Sequence, residues 1–161
     1  MTSDKTMDDF PEPARRLAAF GNQLIDVHLR LREELARLRD TAGRGGSLRD
    51  LRTHCLTFCS AITTHHTGED ATAFPVLAAE FPELRPVLDE LRRDHEQVAV
   101  ILRDLETLVA ADAPGGPRDV RTELDGLSAL LESHFVYEEK RIVAALNALP
   151  ATTWSSPAFL D

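Results

Sequence analysis

His134-Phe135-Val136-Tyr137-Glu138 decides the reading of this chain, because the same phrase stands earlier as His65-His66-Thr67-Gly68-Glu69. Each copy sets a carboxylate four residues after a histidine. Four residues is a little over one helical turn, so both side chains of a copy leave the same face of an α-helix. In a chain that is 28% charged, one such pair carries little information. Two copies fall in the second and fourth of four helix-like segments, and His28 and His95 add a histidine to the first and third.

The segments are read from apolar periodicity. Pro11 and Pro13 open a helix that runs to about Asp40, with Leu17, Gly21, Leu24, His28, Leu31 and Leu35 on one line. GRGG at 43–46 ends it. Ser47 and Asp50 resemble a capping box at the start of the second helix. There Leu51, His54, Phe58, Ile62, His65 and Glu69 fall within roughly 60° of one another. Pro75 is expected to kink or end this segment, with a short further turn before Pro82. Pro86 suits the first turn of a third helix reaching about Ala111, whose buried line is Leu84, Leu88, Leu91, His95, Val98, Leu102, Leu105 and Val109. After the loop APGGP, Pro117 begins a fourth helix to about Leu149, carrying Leu124, Leu127, Leu131, His134, Glu138 and Ala145. Short loops between four helices predict an all-α, up-down-up-down four-helix bundle. The expected organisation is a disordered lead (1–12), the bundle (13–149) and a C-terminal tail (150–161) in which Trp154 and Phe159 fold back.

Composition narrows the function classes. The 161 residues are enough for one domain with a proper core, and 43% are hydrophobic. A net charge of −9 excludes a basic nucleic-acid face. No apolar run approaches a membrane span, and the acidic opening MTSDKTMDDF lacks a signal-peptide core, so the expected location is the cytoplasm. Cys55 and Cys59 lie four apart on one helix without a second pair to complete a zinc site, and read as small packed thiols.

Counting residues from each histidine to the nearest loop brings all four to one layer near mid-bundle, with mismatches of about 6 Å that loops and tilt absorb. Helices two and four run parallel, so Glu69 and Glu138 lie on the same side of that layer. Two carboxylates facing each other in a core repel and are costly to desolvate; a pair of cations that both carboxylates bridge removes the penalty. Four imidazoles and two carboxylates suit iron or manganese. A single histidine on an apolar face is ordinarily a core residue, but four at matched height, two of them with Glu at +4, are not explained that way. His66 with Asp70 repeats the +4 spacing one residue on, but lies about 100° round from His65. His54 sits about 16 Å back along the helix, too far for the same metal. Tyr137, one turn from His134, reads as a packing residue, with a donor behind the site or a ligand as the alternatives.

The order His28 … His65-x3-Glu69 … His95 … His134-x3-Glu138 resembles the hemerythrin-like family, also called HHE cation-binding domains. GEDATAFPVL after His65 is similar to the family's acidic pair followed by Phe-Pro, and YEEKRI follows the second motif similarly. The likeness covers roughly residues 15–149. It favours His65–Glu69 over His66–Asp70, because Glu69 lies five residues before Phe74. Ferritin-like di-iron bundles use Glu-x-x-His, an order neither copy has.

The resemblance implies a non-haem, carboxylate-bridged di-iron centre: His28 and His65 on one iron, His95 and His134 on the other, Glu69 and Glu138 bridging. Oxygen-carrying hemerythrins have a further histidine four residues after the third-helix ligand, where this chain has Ala99, and a five-residue His–Asp step where this chain has four residues to Glu138. Fewer protein ligands leave more positions for a small molecule. The expected function is to bind or sense oxygen or a related molecule such as peroxide or nitric oxide. The alternatives are a di-iron enzyme that consumes peroxide or nitric oxide, and an iron-handling or regulatory protein.

Overall fold

The computed structural model of the chain describes residues 19–44, 47–110 and 116–161. They form helices α1 (Phe20–Gly43), α2 (Leu48–Gly68), α3 (Phe74–Glu80), α4 (Arg85–Ala110) and α5 (Gly116–Ala148), with no strand among them. A π-helical turn, Glu69–Ala73, runs directly from α2 into α3, so the two make one bundle helix and the architecture is a four-helix bundle. α1 packs on α2 and α5, and α4 packs on the same two helices, the neighbour relations of up-down-up-down order. The disordered lead expected over 1–12, the helix start at 13, Leu17, and much of the GRGG and APGGP loops lie outside the described residues.

The local signals act as their chemistry demands. Ser47 Oγ accepts the Asp50 backbone N–H at 3.1 Å and caps α2. Pro75 does not end the second bundle helix, which continues to Glu80. Its ring would crowd the carbonyl four residues back in a tight α-helix, and the wider π turn ahead of it takes up the misfit. The helix stops at Phe81, where the backbone leaves the helical region (φ −131°, ψ 75°) before Pro82. α1 buries Gly21, Leu24, His28, Leu31 and Leu35; α4 buries the expected line from Leu88 to Val109 together with Val87.

The apolar core comes in two blocks. One holds Leu31, Leu35, Leu38, Phe58, Ile62, Leu102, Leu105, Leu124 and Leu131 with the two free thiols. The other holds Phe20, Leu24, Phe74, Leu77, Leu88, Leu91, Ile142 and Leu146. Between them lies a layer of buried histidines and carboxylates. The second block is completed by the tail. Trp154 packs edge-on to Phe20 (4.9 Å) and Phe159 (5.3 Å), and Phe159 is 1% exposed, the fold-back expected of both aromatics. Ser156, at φ 50°, turns the chain toward the short 3-10 helix Ala158–Leu160. No helix among the described residues is long and apolar enough to cross a membrane.

Gly21 sets how closely α1 and α5 approach. A Cβ there would stand 2.3 Å from the Val143 carbonyl oxygen, where the Asn22 N–H also donates to Asn147 Oδ1 at 3.1 Å. Gly21→Ala is therefore expected to destabilise the fold by about 1–3 kcal/mol. Gly126 in α5 has open space around it, and Gly126→Ala is expected to stabilise by about 0.5–1 kcal/mol. Chemical denaturation of both variants reads the two signs.

Candidate metal centre

Each of the four bundle helices delivers to the central layer. α1 brings His28, α2 with its π turn brings His65, His66 and Glu69, α4 brings His95, and α5 brings His134 and Glu138. All seven are buried, with His28, Glu69 and Glu138 at 0% exposure. The six residues singled out in the sequence meet, and His66 joins them.

Their ligand atoms sort into two adjacent groups, each close enough to share one ion: His28, His65 and Glu138, and His66, Glu69, His95 and His134. In the first, His28 Nε2 faces His65 Nε2 at 3.2 Å and lies 3.8 Å from Glu138 Oε1. In the second, His95 Nε2 is 3.4 Å from Glu69 Oε1, and the His66 ring stacks on His95 at 3.8 Å. The groups interlock through the carboxylates, since Glu69 Oε1 is also 3.2 Å from His65 Nε2, and Glu138 Oε2 is 3.0 Å from His134 Nε2.

The outward nitrogens are held from behind. His95 Nδ1 donates to Asp70 at 2.9 Å, His134 Nδ1 to Asp94 at 3.0 Å, and His65 Nδ1 to the Phe159 carbonyl at 2.7 Å. Because those partners accept only, each Nδ1 carries a proton, and Nε2 is the nitrogen each ring turns toward the centre. This is how metal-ligating imidazoles are ordinarily oriented. His28 is steadied differently: its ring stacks on Phe135 at 4.1 Å, and its Nδ1 lies 3.8 Å from Glu139, which Arg32 grips at 3.0 Å. Burial alone would raise Glu139; His28 and Arg32 outweigh it and bring it down to about 2.

Seven of the inward atoms, His66 Nε2, His95 Nε2, His134 Nε2 and all four oxygens of Glu69 and Glu138, are buried without a hydrogen-bond partner. Buried polar atoms are otherwise almost always paired. Convergent imidazole nitrogens and carboxylate oxygens without geometrically satisfied partners are what a cation satisfies, so the set fits metal. The electrostatics agree. Burial and the neighbouring charge of Glu138 push Glu69 well above the ordinary carboxylate range, the cost of setting two carboxylates together in a core. Burial pushes His65 down to about 4, and burial with three neighbouring imidazoles pushes His66 well below its ordinary value, so both offer neutral rings.

Three other residues fall outside the cluster. His54 is half-buried at the surface, 3.6 Å from Glu34. Tyr137 donates its hydroxyl to Glu90 at 2.5 Å on the outer face. Ala99 lies in α4 beside the centre, and its small side chain leaves a recess that His66 also lines. The sequence pattern prefers His65 to His66 on the spacing of Glu69 to Phe74, and a position about 100° round from His65 keeps both from facing one site equally. That objection holds for one ion; with two, neighbouring residues serve one each. The signal that could have found it was the missing imidazole at Ala99 next to an unassigned histidine.

His65 has a testable titration. Its value of about 4 against 6.5 means that, in protein stripped of metal, the unfolded chain binds this proton first as pH falls. The contribution of His65 to stability is thus intact above about 6.5 and is lost progressively down to about 4. Imidazole NMR of the stripped protein is expected to show His65 titrating far below His134, whose neighbours Glu138 and Asp94 overcome burial and raise it.

Comparison with known proteins gives one finding. The family model described as Hemerythrin HHE cation binding domain matches residues 21–146, which contain all seven residues of the cluster. No curated protein and no solved structure matches the chain.

Proposed function

This chain belongs to the hemerythrin HHE cation-binding family, and from that premise we propose that it is a non-haem di-iron protein of the cytoplasm that binds or senses oxygen or a related small molecule, such as peroxide or nitric oxide. The observation that carries the reading is the set of buried, unpartnered lone pairs on three imidazoles and two carboxylates, backed by imidazoles whose Nδ1 protons are already committed outward. Imidazole and carboxylate together suit iron.

His28, His65 and Glu138 would hold one iron, and His66, His95, His134 and Glu69 the other; Glu69 also lies near His65, and Glu138 near His134. His66 would supply the third imidazole of the second group, the one that Ala99 cannot. The first group has one imidazole fewer and would leave more room for an exogenous ligand. Bound iron supplies reversible electron transfer and a position for the small molecule. The protein keeps bulk water away with the two apolar blocks. Asp70, Asp94 and Phe159 accept the Nδ1 protons of three rings and so fix each ring with Nε2 toward the place a metal would occupy.

Protein produced with ample iron is expected to carry about two irons per chain. Once reduced, it should form a reversible oxygen or nitric oxide adduct with ligand-to-metal absorption. Glu138→Ala is expected to lower iron content to one per chain or fewer and to abolish the adduct band. Metal analysis and absorption spectroscopy check both. Fewer than about two irons per chain in the unaltered protein would overturn the di-iron reading, and sustained consumption of peroxide or nitric oxide would mark an enzyme instead of a binder.

A further inference from the structure

The two cation groups are buttressed differently. In the second group, His95 and His134 are oriented by carboxylates of the bundle itself, Asp70 in the π turn and Asp94 in α4. In the first group His28 has no hydrogen-bond partner at Nδ1, and His65 is oriented only by the backbone carbonyl of Phe159 at 2.7 Å. That carbonyl lies in the tail, beyond the residues 21–146 that the family match covers.

The tail is seated where it can do this. Gly68, the last residue of α2, has no side chain, and a Cβ there would lie 3.0 Å from both the Phe159 backbone nitrogen and its Cβ. The glycine thus lets the tail backbone lie flat against the helix three residues after His65. Phe159 is buried in the second apolar block, and Trp154 clamps it against Phe20 of α1. The left-handed turn at Ser156 aims the segment there.

We propose that the C-terminal tail, residues 150–161, is a strap that positions His65 and so sets the cation affinity of the His28–His65–Glu138 group alone. On the two-cation reading above, on which this rests, undocking the tail frees the His65 ring to rotate and lose its tautomer. The His66–His95–His134–Glu69 group keeps its own buttresses. Coupling is reciprocal, so a cation in the first group must in turn hold the tail down.

The test is an anaerobic titration of the full chain with ferrous iron, comparing the unaltered protein, Phe159→Ala and Phe159→Leu. Loss of an orienting partner typically weakens a metal site about 10–100-fold. Phe159→Ala is expected to weaken one of the two ions by that factor and leave the other unchanged, and Phe159→Leu, which keeps an apolar anchor, to recover most of it. In the unaltered protein, amide exchange at 158–161 is expected to slow when the ion of the His28–His65–Glu138 group binds. Two ions bound to Phe159→Ala as tightly as to the unaltered chain overturn the strap, as does equal weakening of both. Should Phe159→Ala fail to fold, the exchange measurement decides, and tail exchange that ignores the metal overturns the strap. An unaltered chain that takes up no pair of ions overturns the di-iron reading and the strap with it.

Discussion

Glu69 and Glu138 are fully buried side by side in the middle of a helical bundle, and the rest of the structure answers to that constraint. Desolvating one carboxylate in an apolar interior is expensive, and a second one next to it adds repulsion. Among the described residues no lysine or arginine pairs with either, and a proton held on Glu69 or on His134 beside Glu138 eases only part of the cost. Positive charge from outside the chain is the remaining remedy. The apolar blocks above and below the layer then make sense as the walls of a dry site, and they supply the folding free energy that the polar layer costs.

The two halves of the layer are unequal, and that gives the site a direction. One half has three imidazoles and carboxylate buttresses internal to the bundle. The other has two imidazoles, one steadied by stacking on Phe135 and the other by the carbonyl of a terminal tail. A site meant only to hold the bundle together has no need of such asymmetry. On the proposed function, the half with fewer imidazoles is where a small molecule would bind with least reorganisation.

Much of this was legible in the sequence because helical geometry is regular. The i, i+4 phrase, one histidine per helix and residue counts to the loops were enough to bring His28, His65, Glu69, His95, His134 and Glu138 together. What was not legible depended on departures from regularity. The spacing of Glu69 to Phe74 favours His65 over its neighbour, and a wheel that treats the site as a single point has no place for both, whereas the structure sets His65 and His66 in two adjacent groups. The π turn that follows Glu69 and accommodates Pro75 has no periodic signature. Phe159 acts through its backbone carbonyl, which no side-chain pattern encodes, and it reaches His65 across 94 residues of sequence.

The most direct test of two cation groups, with His66 serving one of them, is a crystal of the iron-loaded protein measured with anomalous scattering at the iron edge. Two adjacent peaks are expected, one among His28, His65 and Glu138 and one among His66, Glu69, His95 and His134, with the His66 Nε2 directed at the second. A single peak, or a His66 ring turned away from both, would contradict the account.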